Sequence, residues 1–228
     1  MKDMAQTYRI GVDIGGTFTD VVMLNPDTGT LANEKGLTTP DDPSEGVLNG
    51  ITSILAQQGV TPESVASVIH GTTLVANALI ERKGVRTALV TTKGFRDVLE
   101  IGRELRYSIY DLFIDMPEPL VGRELRFEID ERMTAAGAPL TAPKASEVRA
   151  LAAQLREAEV RAVAVVFLHA FRNDAHESMV KQILEAELPG VTVCTSFEVM
   201  PQIGEYERSS TAVANAFVQP IFQTYVQR

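Results

Sequence analysis

Apolar and polar positions alternate with a period of two at the start of the chain. Ile10, Val12 and Ile14 take every second place, Gly15-Gly16 interrupts, and Val21, Val22, Met23 and Leu24 resume the apolar pattern. This predicts two short strands over residues 9–25 joined by a tight turn. A second turn, Asn25-Pro26-Asp27-Thr28-Gly29, leads to a third strand at 31–37 and completes a β-meander. The period then changes. Asp42 can cap a helix, Pro43 suits its first position and Glu45 completes a capping-box-like pair. Val47, Leu48, Ile51, Ile54 and Leu55 form its apolar face, and Gly59 stops it.

Further on, the pattern predicts a buried strand at 65–69, a helix at 74–82 and a strand at 87–90. Residues 115–143 shift to Pro, Gly and charge, and between them 125–129 alternates as an exposed-face strand. Val148, Leu151, Ala152 and Leu155 mark an amphipathic helix, and 160–168 reads as a fully buried strand. A helix at 174–188 with Met179, Val180, Ile183 and Leu184 inward precedes a strand at 191–195. The last helix covers 206–227 with a break near Pro220. Three strands followed by alternating helices and strands predict an α/β layered domain.

Composition narrows the partners. The 228 residues are 45% hydrophobic and 22% charged, enough apolar material for a core. A net charge of −9 excludes a general nucleic-acid binder, which needs a basic face. The longest apolar run, 162–168, is too short to span a bilayer, and the first residues carry no signal-peptide pattern. A cytoplasmic protein is the expectation. The single cysteine, Cys194, excludes a disulfide framework and reads as a buried, inert thiol.

The strongest local signal for chemistry is Asp13-Ile14-Gly15-Gly16-Thr17-Phe18-Thr19-Asp20 at the strand–turn–strand junction. Two glycines let the backbone approach an anion, and successive N–H groups in such a turn form a phosphate nest. Thr17 and Thr19 add hydroxyls, and Asp13 can hold a Mg²⁺ through water. The alternative is a hairpin whose Gly-Gly turn only satisfies a positive φ. The segment is neither a P-loop nor a dinucleotide turn. It is similar to the first phosphate motif of the actin, hexokinase and Hsp70-like ATPase fold, in which a β-hairpin embraces the nucleotide phosphates.

His70-Gly71-Thr72-Thr73 stands where a strand ends and a helix begins, with Asn77 one turn on. The hydroxyls can simply cap that helix. On the functional reading they, His70 and the helix end face the same cleft as the hairpin. Arg103 can recognise a carboxylate or carbonyl, whereas Arg96 and Asp97 read as an ion pair at a helix start. His169 and His176-Glu177 match no zinc spacing and read as capping or supporting groups; Glu205 to Arg208 read as a solvated face or, on the family resemblance given next, as interdomain contacts at the boundary of the two halves of the enzyme.

From His70 to Leu112 the resemblance becomes specific: the segment resembles the N-terminal region of the hydantoinase A / 5-oxoprolinase family, which includes ATP-dependent hydantoin and lactam hydrolases and acetone carboxylase subunits. Leu168 to Asn173 with His176-Glu177, and Glu205 to Thr211 with Asn215-Ala216, extend it from Tyr8 to Tyr225. Departures from the family pattern are Ala76 for Thr, Tyr107 for Pro, Phe197 for His and Gly204 for a bulky or basic residue. They fall in segments that shape substrate choice or an interface, and the hairpin is intact.

The resemblance implies an α/β fold, a lobe of the actin/hexokinase/Hsp70-like (ribonuclease H-like) ATPases, with an N-terminal domain at 8–200 and the start of a catalytic domain at 201–228. It implies ATP and Mg²⁺ as cofactors, a cyclic amide (hydantoin, 5-oxoproline or a related lactam) as substrate, a hydantoinase B-type subunit or domain as partner, and a homo-oligomer. ATP would phosphorylate the amide oxygen before water adds. Asp13 would hold Mg²⁺, Gly15, Gly16 and Thr17 would bind phosphates, and Thr19 and Asp20 would orient them. His70, Thr72, Thr73, Asn77 and Arg103 are the substrate-side candidates. Two rival classes remain: a kinase of the same superfamily, and a carboxylase subunit or non-catalytic ATP-binding module. The length reads as an N-terminal portion of a larger, bilobal protein.

Overall fold

The computed structural model describes residues 8–39, 42–104 and 108–227. Chain contacts divide it into two units, one comprising the segment up to Lys83 together with the chain from Phe222, the other running from Gly84 to Ile221.

The first unit opens with the expected meander: β1 (Tyr8–Ile14), β2 (Phe18–Asn25) and β3 (Thr30–Leu37). β1 and β2 pair antiparallel with Asp13 opposite Asp20 and Ile14 opposite Thr19. α1 (Pro43–Gln58) follows, with the Asp42 carboxylate accepting the Ser44 N–H and Gly59 closing it at φ +63°. Ile10, Val12, Ile14, Val21 and Met23 pack against Ile54 and Leu55 of α1, so alternate residues of the sheet are buried beneath this helix. Leu48, expected on the same apolar stripe, is exposed. β4 (Val65–Thr72) runs parallel to β1 and sets the sheet order β3-β2-β1-β4, and α2 (Leu74–Ile80) leaves its end. The prediction of a buried strand at 65–69 is corrected: β4 is an edge strand and Ala66 to Gly71 are exposed.

The second unit begins with β5 (Thr87–Thr92) and α3 (Val98–Ile101), then β6 (Arg126–Ile129), β7 (Arg132–Met133) and β8 (Pro139–Thr141). α4 (Ala145–Glu157), β9 (Ala162–Val166), α5 (Ala175–Glu187), β10 (Thr192–Thr195), α6 (Ser196–Val199) and α7 (Glu205–Val226) complete the chain. The parallel sheet has the order β10-β9-β5-β6, and every residue of β5 and β9 is buried, as strands covered on both faces must be. β6 is not the exposed-face strand its alternation suggests: Arg126 and Ile129 are buried, and the Arg126 guanidinium reaches Val121 O at 3.0 Å and Glu100 at 2.8 Å. α7 continues through Pro220 without the expected break. Among the described residues no helix is long and apolar enough to cross a membrane.

Candidate functional site

The hairpin tip is organised by a residue that the sequence does not advertise. Thr38, just after β3, donates its N–H to Thr17 O (2.9 Å) and its hydroxyl to Gly15 O (3.0 Å). Gly15 N–H donates to Phe18 O at 2.9 Å. The Gly15 and Thr17 carbonyls are thereby committed to Thr38, while among the described residues the N–H groups of Gly16 and Thr17 have no protein acceptor. Neither Gly15 nor Gly16 has a positive φ, so the reading of a Gly-Gly turn selected for that backbone region does not hold. What the glycines supply is room: a methyl group built on Gly16 would lie 3.1 Å from Asn77 Nδ2, and one on Gly15 would lie 3.1 Å from Phe18 O.

Asn77 is brought to the tip by α2. Thr73 donates its N–H (3.0 Å) and its hydroxyl (3.2 Å) to Ile14 O, fastening the start of α2 to the end of β1, and Asn77 Nδ2 donates to Thr73 Oγ1 at 3.3 Å. Thr72 Oγ1 accepts the Leu74 N–H at 3.0 Å, the capping role open to it from the sequence.

The two carboxylates of the hairpin differ. Asp20 is held by Lys35 at 3.1 Å. Asp13 is exposed and, among the described residues, unpaired, with the side-chain-free Gly71 beside it: a Cβ there would stand 3.7 Å from Asp13 Oδ1. Free amides next to one free carboxylate suit a nucleotide phosphate whose Mg²⁺ keeps most of its waters. No group of three His, Cys, Asp or Glu among the described residues forms an all-protein metal cage. Asp13, Gly16, Thr73 and Asn77 are therefore gathered around the tip.

The remaining candidates lie elsewhere. Strand parity separates His70 and Thr72 from Asp13, because His70 pairs with Val12 and Gly71 with Asp13. Val12 faces α1, and so does His70, whose Nε2 is 2.5 Å from Tyr225 Oη. Together with Thr72, Val47, Leu48 and Phe222 it lines a cavity of about 460 Å³ on the α1 side of the sheet. Thr19 is also on that side, 1% exposed, with its hydroxyl 3.1 Å from Thr38 Oγ1. Since the Thr38 proton goes to Gly15 O, Thr19 is the donor in that pair and acts on the turn through Thr38. Arg103 belongs to the second unit, where its guanidinium is committed to Glu207 at 2.5 Å. The Glu207 carboxyl is held below its usual range first by its own backbone N–H and then by Arg103.

Other expectations need correcting. Asp97 pairs with Arg123 (2.8 and 3.1 Å) rather than Arg96. Arg208 is buried, not part of a solvated face. It donates to Ser196 Oγ at 2.9 Å and Phe167 O at 2.7 Å. Glu177, equally buried, accepts from Phe167 N–H, Ser196 Oγ and Phe197 N–H at 2.6–3.0 Å. His176 bonds Glu131 at 2.7 Å, and Glu131 also takes the Thr92 hydroxyl. These groups support the second unit's core, and Cys194 is buried there with its thiol pushed up by desolvation. Of the departing positions, Phe197 contributes its backbone to Glu177, Gly204 sits at φ +115° where a side chain would be strained, and Tyr107 lies outside the described residues.

The model of the hydantoinase/oxoprolinase N-terminal region matches residues 9–188. The chain belongs to the hydantoinase/oxoprolinase family. Among relatives, it is 37% identical to caprolactamase subunit alpha of Pseudomonas jessenii over 98% of this chain and 33% of that one. It is 33% identical to the acetophenone carboxylase gamma subunit of Aromatoleum aromaticum over 94% of this chain and 31% of that one. The chain thus spans about a third of the length of these curated relatives. The crystal structure of the Pseudomonas jessenii ATP-dependent caprolactamase superposes with a TM-score of 0.86 over 96% of this chain and 33% of that one. Nucleotide-free acetone carboxylase, 23% identical, shares the fold with a TM-score of 0.88 over 97% of this chain and 33% of that one. The fold of this hydantoinase/oxoprolinase chain is the actin/hexokinase/Hsp70-like α/β lobe that the hairpin implied.

Proposed function

We propose that this chain supplies the phosphate-binding hairpin of an ATP-dependent enzyme that activates a carbonyl-bearing substrate by phosphorylation at oxygen. The observation that supports it is the hairpin tip, where Thr38 takes the Gly15 and Thr17 carbonyls and, among the described residues, the Gly16 and Thr17 amides are free near an unpaired Asp13. On this reading Gly15, Gly16 and Thr17 bind phosphates, Asp13 holds Mg²⁺ through water, and Thr19 and Asp20 set the hairpin through Thr38 and Lys35. Thr73 and Asn77 border the phosphates. His70, Thr72 and Arg103 stay as substrate-side candidates, with other partners in this structure to exchange for a substrate. The protein's contribution is positioning and charge neutralisation around the transferred phosphoryl group.

Two chemistries fit that step. Opening of a cyclic amide is favoured by 37% identity to a caprolactamase subunit, since phosphorylating the amide oxygen makes the carbon electrophilic toward water. A carboxylase subunit is the second reading, favoured by 33% identity to an acetophenone carboxylase subunit. Both relatives are named as subunits, which supports a hydantoinase B-type partner.

Asp13→Asn in the full-length enzyme is expected to lower ATP turnover by about 100-fold or more with an unchanged circular dichroism spectrum. Near-normal turnover overturns the assignment. ADP release driven by lactams and hydantoins, by ketones with bicarbonate, or by hexoses separates hydrolase, carboxylase and kinase, and absent Mg·ATP binding in titration calorimetry favours a non-catalytic module.

A further inference from the structure

Asp13, Asp20 and Lys35 form one row across the first sheet. Asp13 pairs with Asp20 across β1 and β2, and Asp20 pairs with Lys35 across β2 and β3. Residues paired in this way share a face of the sheet. Their chain neighbours fix which face it is. Val21 is buried against α1, and Glu34 is bonded to Ser53 (3.1 Å) and Gln57 (2.7 Å) of that helix. Asp20 and Lys35 therefore stand on the other face, the one that carries Asp13.

Like charges directly opposite on a sheet repel, and Lys35 offsets this from the Asp20 side. Its Nζ lies 3.1 Å from Asp20 Oδ1 and 3.3 Å from Oδ2. It also lies 4.7 Å from the centre of the Phe18 ring, and Phe18 is two residues nearer the hairpin tip than Asp20. The ammonium thus leans toward the tip. Its hold on Asp20 is loose: the two side chains are 57% and 49% exposed, and an exposed pair contributes little. A lysine carries three donors on a flexible stem, so it exchanges partners at small cost. Among the other described cations of the first unit, Arg9 stands near the start of β1 opposite Leu24, and Arg82 and Lys83 follow α2.

We propose that Lys35 is a further phosphate-contacting residue, whose ammonium leaves Asp20 when Mg·ATP binds and donates to a phosphate oxygen. This rests on the nucleotide reading of the hairpin and adds to it a positive side chain that the turn itself lacks. Gly15, Gly16 and Thr17 offer neutral donors, and Asp13 and Asp20 are anionic. Hydrogen bonds to a charged group are the stronger kind, and phosphoryl chemistry depends on neutralising charge. Asp20 is then the resting partner that keeps the ammonium beside the tip between nucleotides.

Two measurements on the natural full-length protein test this. Amine acylation read by mass spectrometry should label Lys35 in the free protein, and saturating Mg·ATP should cut that labelling by about 10-fold or more. Undiminished labelling in a protein that binds Mg·ATP overturns the inference, and this readout needs no substitution. In titration calorimetry, Lys35→Met should weaken Mg·ATP binding by about 10- to 100-fold, the range for a charged hydrogen bond. The same loss should appear when Lys35→Met is made in an Asp20→Asn background. A loss that vanishes in that background, or no loss at all, means that Lys35 only neutralises Asp20 and overturns the inference. If the unsubstituted protein binds no Mg·ATP, the nucleotide reading itself fails; if it binds and Lys35 is indifferent, this inference fails alone.

Discussion

The two sheets treat polar groups in opposite ways. In the second unit, parallel strands covered on both faces leave no solvent for Glu177, Arg208, Glu131 or His176, so these groups satisfy one another and the backbone. In the first unit, α1 covers one face of the meander, and on the other face Asp13 has no partner among the described residues. A buried polar group contributes to folding when paired, and an exposed unpaired one is available to a ligand. Substitutions in the second unit should therefore act on stability, and those at the hairpin on binding.

The largest effect is expected from Arg208→Met. Arg208 is 0% exposed, and the change removes donors from Ser196 and Phe167 O and a cation from the neighbourhood of Glu177. Breaking a buried charged constellation costs about 3–5 kcal/mol. Denaturant unfolding of Arg208→Met should show a loss of that order. A loss under about 1 kcal/mol, the scale of a surface pair, would place Arg208 with the exposed groups.

Arg208 also shows where sequence reading stops. Within Glu205-Tyr206-Glu207-Arg208 it belongs to a charge run, and only the packing of α7 against α6 and Phe167, the residue after β9, takes it inside while Glu207 stays out with Arg103. What was legible has local causes: the meander from its period of two, α1 from Asp42 and Gly59, the turn between β1 and β2 from Gly15-Gly16 after a strand. What was not legible depends on non-local neighbours. The run at β4 is apolar whether or not a strand lies beside it, and the alternation at β6 does not say that Arg126 will be roofed over. His70 and Asp13 sit near each other along the sheet, yet a register fixed by pairing with β1 turns their side chains to opposite faces. Thr38 carried no motif at all, being one threonine in a Leu-Thr-Thr-Pro stretch.

The next effect separates the units by pH. Burial pushes the Glu177 carboxyl up to about 7, against the opposing pull of Ser196, two backbone N–H groups and Arg208. The folded state therefore holds this proton more tightly than the unfolded chain, whose carboxyl titrates near 4.5. The resulting stabilisation is complete below that value and is lost as pH rises through about 7. Its size is on the order of 3 kcal/mol. Unfolding free energy should fall with pH across this interval, and Glu177→Gln should flatten that slope whatever its own cost. A slope unchanged in Glu177→Gln would assign the effect to another group.

The smallest expected effect tests the hairpin's own division of labour. Thr19 donates to Thr38 Oγ1 from the buried side, while Thr38 donates to Gly15 O, so Thr19→Val removes one hydrogen bond and leaves the clasp on the turn in place. The cost should be about 1 kcal/mol or less. Because Thr19 is 1% exposed and lies on the α1 side, Mg·ATP affinity measured calorimetrically should change by no more than about 2-fold, against a far larger loss in Asp13→Asn. If Thr19→Val instead weakens nucleotide binding as much as Asp13→Asn while leaving the unfolding midpoint alone, the phosphates contact that hydroxyl directly. The hairpin would then have to open on its α1 side to bind them, and the contrast between a sheltered and a ligand-facing surface would fail within a single turn of chain.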